Sequence, residues 1–225
     1  MRPLYKDATT HTACYTNGVI DKMYVKDLRR NHAHEYANTQ LKVFGLQPHD
    51  YTRNDTARVS GMRKLRLTII NRKGRTRRLT NMDELETAGV ALGYDVRVVS
   101  FELLTIAQQL KIVSTETDVL MGMHGNGIMW LQFLPPRSVI IELIGVWYSP
   151  YARLWGHTHL HSSMKNNMIF KRQGEFVAFP HNVTEVRVLL TKARGTLRQP
   201  NPELKIDGDA NPQLDFLYKG CSPHC

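Results

Sequence analysis

The stretch His124-Gly125-Asn126-Gly127 combines the residue types that a phosphate site needs. Two glycines one residue apart let a backbone approach a ligand closely. A helix opening behind them offers unpaired N–H groups and a positive dipole end, both suited to phosphate. His124 at a strand end can donate to a phosphate or sugar oxygen; the competing reading is a tight strand–helix turn in which His124 bonds backbone. The run Arg72-Lys73-Gly74-Arg75-Thr76-Arg77-Arg78 places five cations in seven residues. Guanidinium forks match phosphate oxygens in pairs, and a solvated charge run is the plain alternative. Glu142 sits inside Val139-Ile140-Ile141-Glu142-Leu143-Ile144. A carboxylate in an apolar strand is costly unless bonded, so it either accepts from ribose or sugar hydroxyls or pairs with an arginine. His157, His159 and His161 alternate and would share one face of a strand. With no acidic or Cys ligand beside them they make a poor metal set, and no metal site is expected.

These residues need elements to hold them. Leu65 to Asn71 alternates and is β-branched, the pattern of a strand, and the basic loop follows it. Asn81 with Glu84 reads as a capping box, opening a helix with Leu85, Ala88 and Leu92 on one face and Gly93 as its stop. Tyr94 to Ser100 reads as a second strand. Thr105 with Gln108 is another capping box, for a helix striped by Ile106, Leu110 and Val113. Asp118 to Met123 is nearly all apolar, as a strand covered on both faces would be. The glycine loop follows, then a short apolar helix over Ile128 to Leu134, ended by Pro135-Pro136, and a fourth strand over Ser138 to Ile144. An amphipathic helix is expected near 183–194 and a weaker one near 35–44. Strand and helix alternate, which predicts an α/β fold: a Rossmann-like, doubly wound parallel sheet. Such sheets bind ligands at the carboxyl ends of their strands, where loops 72–78 and 124–127 both fall.

Composition narrows the class. Of 225 residues, 42% are hydrophobic and 22% charged, which excludes disorder over most of the length. The net charge of +10 points to an anionic partner without choosing among nucleic acid, phosphorylated ligand and anionic surface. Cys14, Cys221 and Cys225 are too few for a disulfide scaffold; a Cys221–Cys225 bridge would leave Cys14 unpaired. Asn54 and Asn182 head N-glycosylation sequons, at a number near chance. No apolar run reaches transmembrane length, and residues 1–7 lack the apolar core of a signal peptide. The expectation is therefore either a cytosolic chain or one without its true beginning.

The order of these motifs resembles glycosyltransferase family 61. The resemblance rests on Ile70-Asn71-Arg72, then Arg78-Leu79-Thr80-Asn81 and Glu84-Leu85. It continues through Gln109-Leu110, Thr117 to Gly127, Phe133-Leu134-Pro135-Pro136 and Ile141-Glu142-Leu143. It is looser at Tyr151 to His157 and at Val183 to Lys192. Two positions depart from the family pattern: Asn126 stands where Ala is usual between the glycines, and Ile128-Met129 where Leu-Thr is frequent. The resemblance implies the C-terminal half of a two-domain GT-B glycosyltransferase. Residues 1–64 would be a remnant of the N-terminal acceptor domain and a linker, 65–195 the nucleotide-sugar-binding domain, and 196–225 a tail. Cys14-Tyr15 is similar to a Cys-Phe element of the family's first half. The implied nucleotide-sugar-binding set is Arg72, Arg78, His124, Gly125, Asn126, Gly127 and Glu142.

The resemblance also implies an activity: transfer of N-acetylglucosamine or xylose from a UDP-sugar to a protein or polysaccharide hydroxyl, in the ER or Golgi lumen. The UDP-sugar would be a substrate; no cofactor or metal is expected, and no nucleic acid. Membrane attachment would come only through an anchor that this chain lacks. The catalytic base is not identified. The alternatives are a non-catalytic basic α/β module for nucleic acid or acidic glycan, and a pseudoenzyme that keeps the fold and loses turnover.

Overall fold

A computed structural model describes residues 30–51, 55–74, 78–143, 156–161 and 180–199. The elements run α1 (Arg30–Val43), α2 (Thr56–Ser60), β1 (Arg66–Ile70), α3 (Met82–Ala91), β2 (Asp95–Val99), α4 (Ile106–Glu116), β3 (Val119–Met123), a 3₁₀ helix (Asn126–Phe133), β4 (Val139–Leu143), β5 (Thr158–His161) and α5 (Val183–Arg198). The five strands form one sheet in the order β2-β1-β3-β4-β5, and every neighbouring pair is parallel. The expected α/β fold with a parallel sheet is what the chain adopts.

Strand alternation sorts the core into two layers. Leu67, Ile69, Val119, Met121, Val139 and Ile141 point to one face, under α3 and α5. Ile70, Leu120 and Ile140 point to the other, with Leu110 and Val113 of α4, Leu131 of the 3₁₀ helix and Ala33, Ala37 and Leu41 of α1. Burying each large aliphatic side chain contributes about 1.5–3 kcal/mol, and both faces must be covered for a parallel sheet to gain it. The Tyr94 hydroxyl donates to the Leu190 carbonyl at 2.7 Å, fastening α5 beside the start of β2.

Local signals had mixed outcomes. The Thr105–Gln108 capping box forms in full. The Asn81–Glu84 box does not: the Asn81 amide exchanges two hydrogen bonds of 2.9 Å with the His181 backbone, so it ties α3 to the segment leading into α5. Ile106, expected on the buried stripe of α4, is 58% exposed, because the first turn of that helix projects past the sheet while Leu110 and Val113 are covered. Gly93, at φ 81°, ends α3 as expected. Helix α1 begins five residues before the expected start, and β5 was not anticipated as an element.

The amino ends of the central strands meet at a buried carboxylate. Asp118, just before β3, is fully buried. It accepts from Arg63 Nη1 at 2.6 Å and Nη2 at 2.8 Å, from Arg66 Nε at 3.1 Å and Nη2 at 3.0 Å, and from the Arg66 backbone N–H at 2.9 Å. Arg58, 3% exposed, lies 3.9 Å away and donates to the Pro136 carbonyl. Burial alone would raise the Asp118 carboxyl, but the bonds from Arg63 and Arg66 outweigh it and hold the group well below the usual carboxylate range. Removing this partner strands buried cations, so Asp118→Ala should lower unfolding free energy by about 3–5 kcal/mol. Breaking the exposed Arg97–Glu116 pair with Glu116→Ala should cost under about 1 kcal/mol. Urea melts of the two variants check the contrast; equal losses would contradict it.

Candidate functional site

The chain runs from β1 out to β2 and then returns across the sheet to β3, so the strand order reverses between β1 and β3. In open α/β sheets that reversal opens a crevice at the carboxyl ends, because the connections leave on opposite faces. Ile70 pairs with Gly122 at this junction, and two residues farther along each strand come Arg72 and His124. The basic loop and the glycine loop therefore rise from neighbouring strands on the two sides of the reversal.

The glycine loop is built for close approach. Gly125 has φ 139° and ψ −170°, a conformation that L side chains rarely adopt. It leads directly into the 3₁₀ helix, whose i→i+3 pattern is set by Ile128 N–H bonding the Gly125 carbonyl at 2.9 Å. The helix expected over Ile128 to Leu134 thus starts at Asn126 and is 3₁₀ rather than α. Ile128, Leu131, Phe133 and Leu134 are all buried, and the tighter winding brings these closely spaced apolar residues onto the sheet. Gly122 makes room below the loop: a Cβ there would lie 3.1 Å from Ile70 Cβ.

Arg72 is half-buried, and its Nη1 is a buried donor without a hydrogen-bond partner. A buried guanidinium N–H is costly to leave unmet, which marks the spot as one that a ligand acceptor would satisfy. Arg78 is exposed, and residues 75–77 between the two lie outside the described residues.

Glu142 projects from β4 on the same sheet face as Ile140 and is buried. Its protein partners are histidines and not the expected arginine. His124 Nδ1 donates to Oε1, and His159 Nε2 of β5 donates to Oε2 at 2.7 Å. Burial pushes the Glu142 carboxyl up, but the two histidine bonds outweigh it and bring it down to about 2. Two histidines therefore serve where an arginine was the expected protein partner, because β5 lies beside β4 and β3 lies on its other side.

The alternating histidines do share a face. His159 and His161 rings lie 5.9 Å apart, and His157 is buried. Among the described residues no group of three His, Cys, Asp or Glu side chains is placed to hold a metal ion. His157 and His49 instead brace the 3₁₀ helix: His157 Nε2 donates to the Leu131 carbonyl and His49 Nε2 to the Phe133 carbonyl, each at 3.0 Å. Sequence reasoning missed these props, and their only signal was histidine in otherwise unpatterned segments. Of the sequon residues, Asn182 is exposed and its side chain caps α5 by accepting from Thr184 and Glu185 N–H. Asn54, Tyr151 to Trp155 and all three cysteines lie outside the described residues.

A separate basic depression lies at the opposite, amino end of the sheet, lined by Arg63, Lys64, Tyr94, Arg194 and Arg198. Two of its arginines are bound to backbone carbonyls, Arg194 to Leu92 and Arg198 to Arg58 and Arg63, and Arg63 is bound to the Asp118 carboxylate. Among the described residues no helix is long and apolar enough to cross a membrane.

With this geometry in hand, comparison with known proteins identifies the class. The family model of glycosyltransferase 61 matches residues 8–141, more than half of the chain, and the chain belongs to that family. It is 41% identical over 98 residues to an EGF domain-specific O-linked N-acetylglucosamine transferase of Drosophila melanogaster, covering 41% of this chain and 19% of that protein. The protein of that name from Rattus norvegicus is 32% identical over 164 residues, covering 65% of this chain and 31% of the relative. A beta-1,2-xylosyltransferase of Oryza sativa subsp. japonica is 28% identical over 148 residues, covering 63% and 31%. The matches thus span about a fifth to a third of these relatives' own lengths.

The bracing histidines set an acid limit on the site. Burial pushes His157 down from 6.5 to about 3, because its ring cannot be charged in the apolar layer. The unfolded chain takes up a proton below about pH 6.5 that the folded chain refuses, so stability is full above that pH and falls from there toward pH 3. His157→Gln keeps a donor near Leu131 but removes the titrating ring. It should flatten the slope in this window by about 1.4 kcal/mol per pH unit. Denaturant melts at several pH values check this; identical slopes would contradict the burial argument.

Proposed function

We propose that this chain is the donor-binding part of a sugar transferase, and that the β1/β3 crevice takes the pyrophosphate of a UDP-sugar. The observation that carries the reading is the meeting, at the reversal of strand order, of a glycine loop with Arg72, whose buried Nη1 has no protein partner. Arg72 and Arg78 supply charge, and Gly125 and Gly127 let backbone N–H groups near the phosphates. In a transfer reaction an acceptor hydroxyl loses its proton while UDP leaves, and positive groups stabilise the charge growing on the pyrophosphate. The relatives' names favour N-acetylglucosamine or xylose as the sugar, and a protein or polysaccharide hydroxyl as acceptor. The remaining parts of the reading are a GT-B arrangement, with residues before 65 derived from an acceptor domain, and the ER or Golgi lumen as the compartment. A second reading, a basic module for an acidic glycan, draws support from the amino-end depression and the charge of +10.

Calorimetry with UDP and with uridine separates these readings. Arg72→Ala should weaken UDP binding by about 1.5–3 kcal/mol, the usual worth of a charged hydrogen bond, and leave uridine binding nearly unchanged. Gly125→Val should abolish UDP binding, because valine is excluded from the backbone conformation at that position. UDP binding at parental strength in both variants would refute the site. Retention on heparin without competition by UDP would favour the second reading.

A further inference from the structure

The helix behind the glycine loop is an unstable kind of element. Asn126–Phe133 winds as 3₁₀ over eight residues, whereas such runs rarely pass about four, because their hydrogen bonds are poorly aligned. Its end is short of donors. Pro135 and Pro136 have no N–H, so the 3₁₀ turns that would close on the Gln132 and Phe133 carbonyls cannot form. Two imidazoles bond the carbonyls at this end. His157 Nε2 donates to the Leu131 carbonyl and His49 Nε2 to the Phe133 carbonyl. Burial pushes both rings below the ordinary histidine range, so each is neutral at neutral pH, with its proton on the nitrogen that faces the carbonyl. His49 is itself fixed from α1. The Asn38 side chain accepts from the His49 backbone N–H at 2.8 Å and donates to the His49 carbonyl at 2.9 Å. The Tyr51 ring meets the His49 ring edge-on at 5.8 Å and stacks on His34 of α1 at 3.6 Å. Ala33, Ala37 and Leu41 seat α1 in the layer that also holds Ile128, Leu131 and Leu134. Residues 30–51 therefore clasp the helix whose first turn is part of the glycine loop.

We propose that His49, fixed by Asn38, and His157 are positioning residues of the nucleotide site: they hold Asn126–Phe133 in the 3₁₀ winding that sets the loop N–H groups for the pyrophosphate. This rests on the donor-site reading above and goes beyond it, because residues before 65, which the sequence assigns to a remnant of another domain, become part of that site. A 3₁₀ helix rises about 2.0 Å per residue and an α-helix about 1.5 Å, so relaxing eight residues to α shortens the rod by about 4 Å. Relaxation also transfers the Gly125 carbonyl from the Ile128 N–H, its partner at 2.9 Å, to the Met129 N–H. Either change displaces the loop N–H groups by more than a hydrogen bond tolerates.

Calorimetry of the full chain with UDP tests the claim, with amide hydrogen exchange of the unliganded chain beside it. His49→Phe keeps a ring and loses the donor. It should weaken UDP about tenfold, the worth of one hydrogen bond, and speed exchange at the Ile128 N–H by at least about tenfold. His49→Gln offers an amide N–H in place of Nε2–H and should restore UDP affinity to within roughly threefold of the parent. Rescue by glutamine is a result that lost bulk or a looser fold would not give. Should His49→Phe fail to fold, Asn38→Ala releases the His49 backbone and should weaken UDP about threefold. Thr117→Val is the control. It removes a buried hydroxyl, bonded to the Thr68 hydroxyl at 2.7 Å, before the amino end of β3, and should lower stability without changing UDP affinity. Parental UDP affinity in both His49→Phe and Asn38→Ala, or an equal loss in Thr117→Val, overturns the positioning role alone. Exchange at Ile128 unchanged by His49→Phe overturns the hold on the helix, whether or not UDP binds. A parent that does not bind UDP overturns the donor-site reading and the positioning role with it.

Discussion

A carboxylate removed from water must be met by donors, and among the described residues this sheet buries two, near opposite ends of neighbouring strands. Asp118 precedes β3 and gathers Arg63 and Arg66 around itself, with Arg58 close by. Glu142 lies toward the carboxyl end of β4 and gathers His124 and His159. The first cluster joins the segments leading into β1 and β3 and reaches α2 through Asp55, which accepts from Arg63. The second joins the ends of β3, β4 and β5. Guanidinium forks at the amino end hold the frame. Imidazoles hold the carboxyl end, beside the glycine loop.

The crevice follows from topology, and what fills it follows from side-chain size. A doubly wound sheet reverses order once, and here the reversal is flanked by the two loops richest in phosphate-binding chemistry. Glycine at 122 and 127 keeps side chains out of the space between Ile70 and the start of the 3₁₀ helix. The helix is steadied from behind by His49 and His157 on its last carbonyls. The loop is thus held at its base, where a flexible turn would lose preorganisation for phosphate.

Much of this was legible in the residues. The strands at 66–70, 119–123 and 139–143 announced themselves through Val, Ile, Leu and Met, since burial on both faces leaves little room for other residues, and the strand at 95–99 through the alternation of a half-exposed edge. Strand β5 was hidden, because four residues with two histidines carry no apolar run; only its pairing with β4 defines it. Glu142 was visible as an oddity, yet its partners were not, because His124 and His159 are 18 and 17 residues away and meet it only through strand adjacency. Asn81 looked like a cap, and its side chain was recruited by a backbone 100 residues distant. Local signals failed where a long-range partner offered a better hydrogen bond.

The central claim is that a nucleotide diphosphate binds at the carboxyl-end crevice and not at the basic depression across the sheet. Backbone amide NMR during a UDP titration reads both places at once. The account predicts that the largest shift changes fall on residues 71–74 and 124–128, with Lys64, Arg194 and Arg198 unmoved. Changes centred on Lys64, Arg194 and Arg198, with the glycine loop silent, would contradict it.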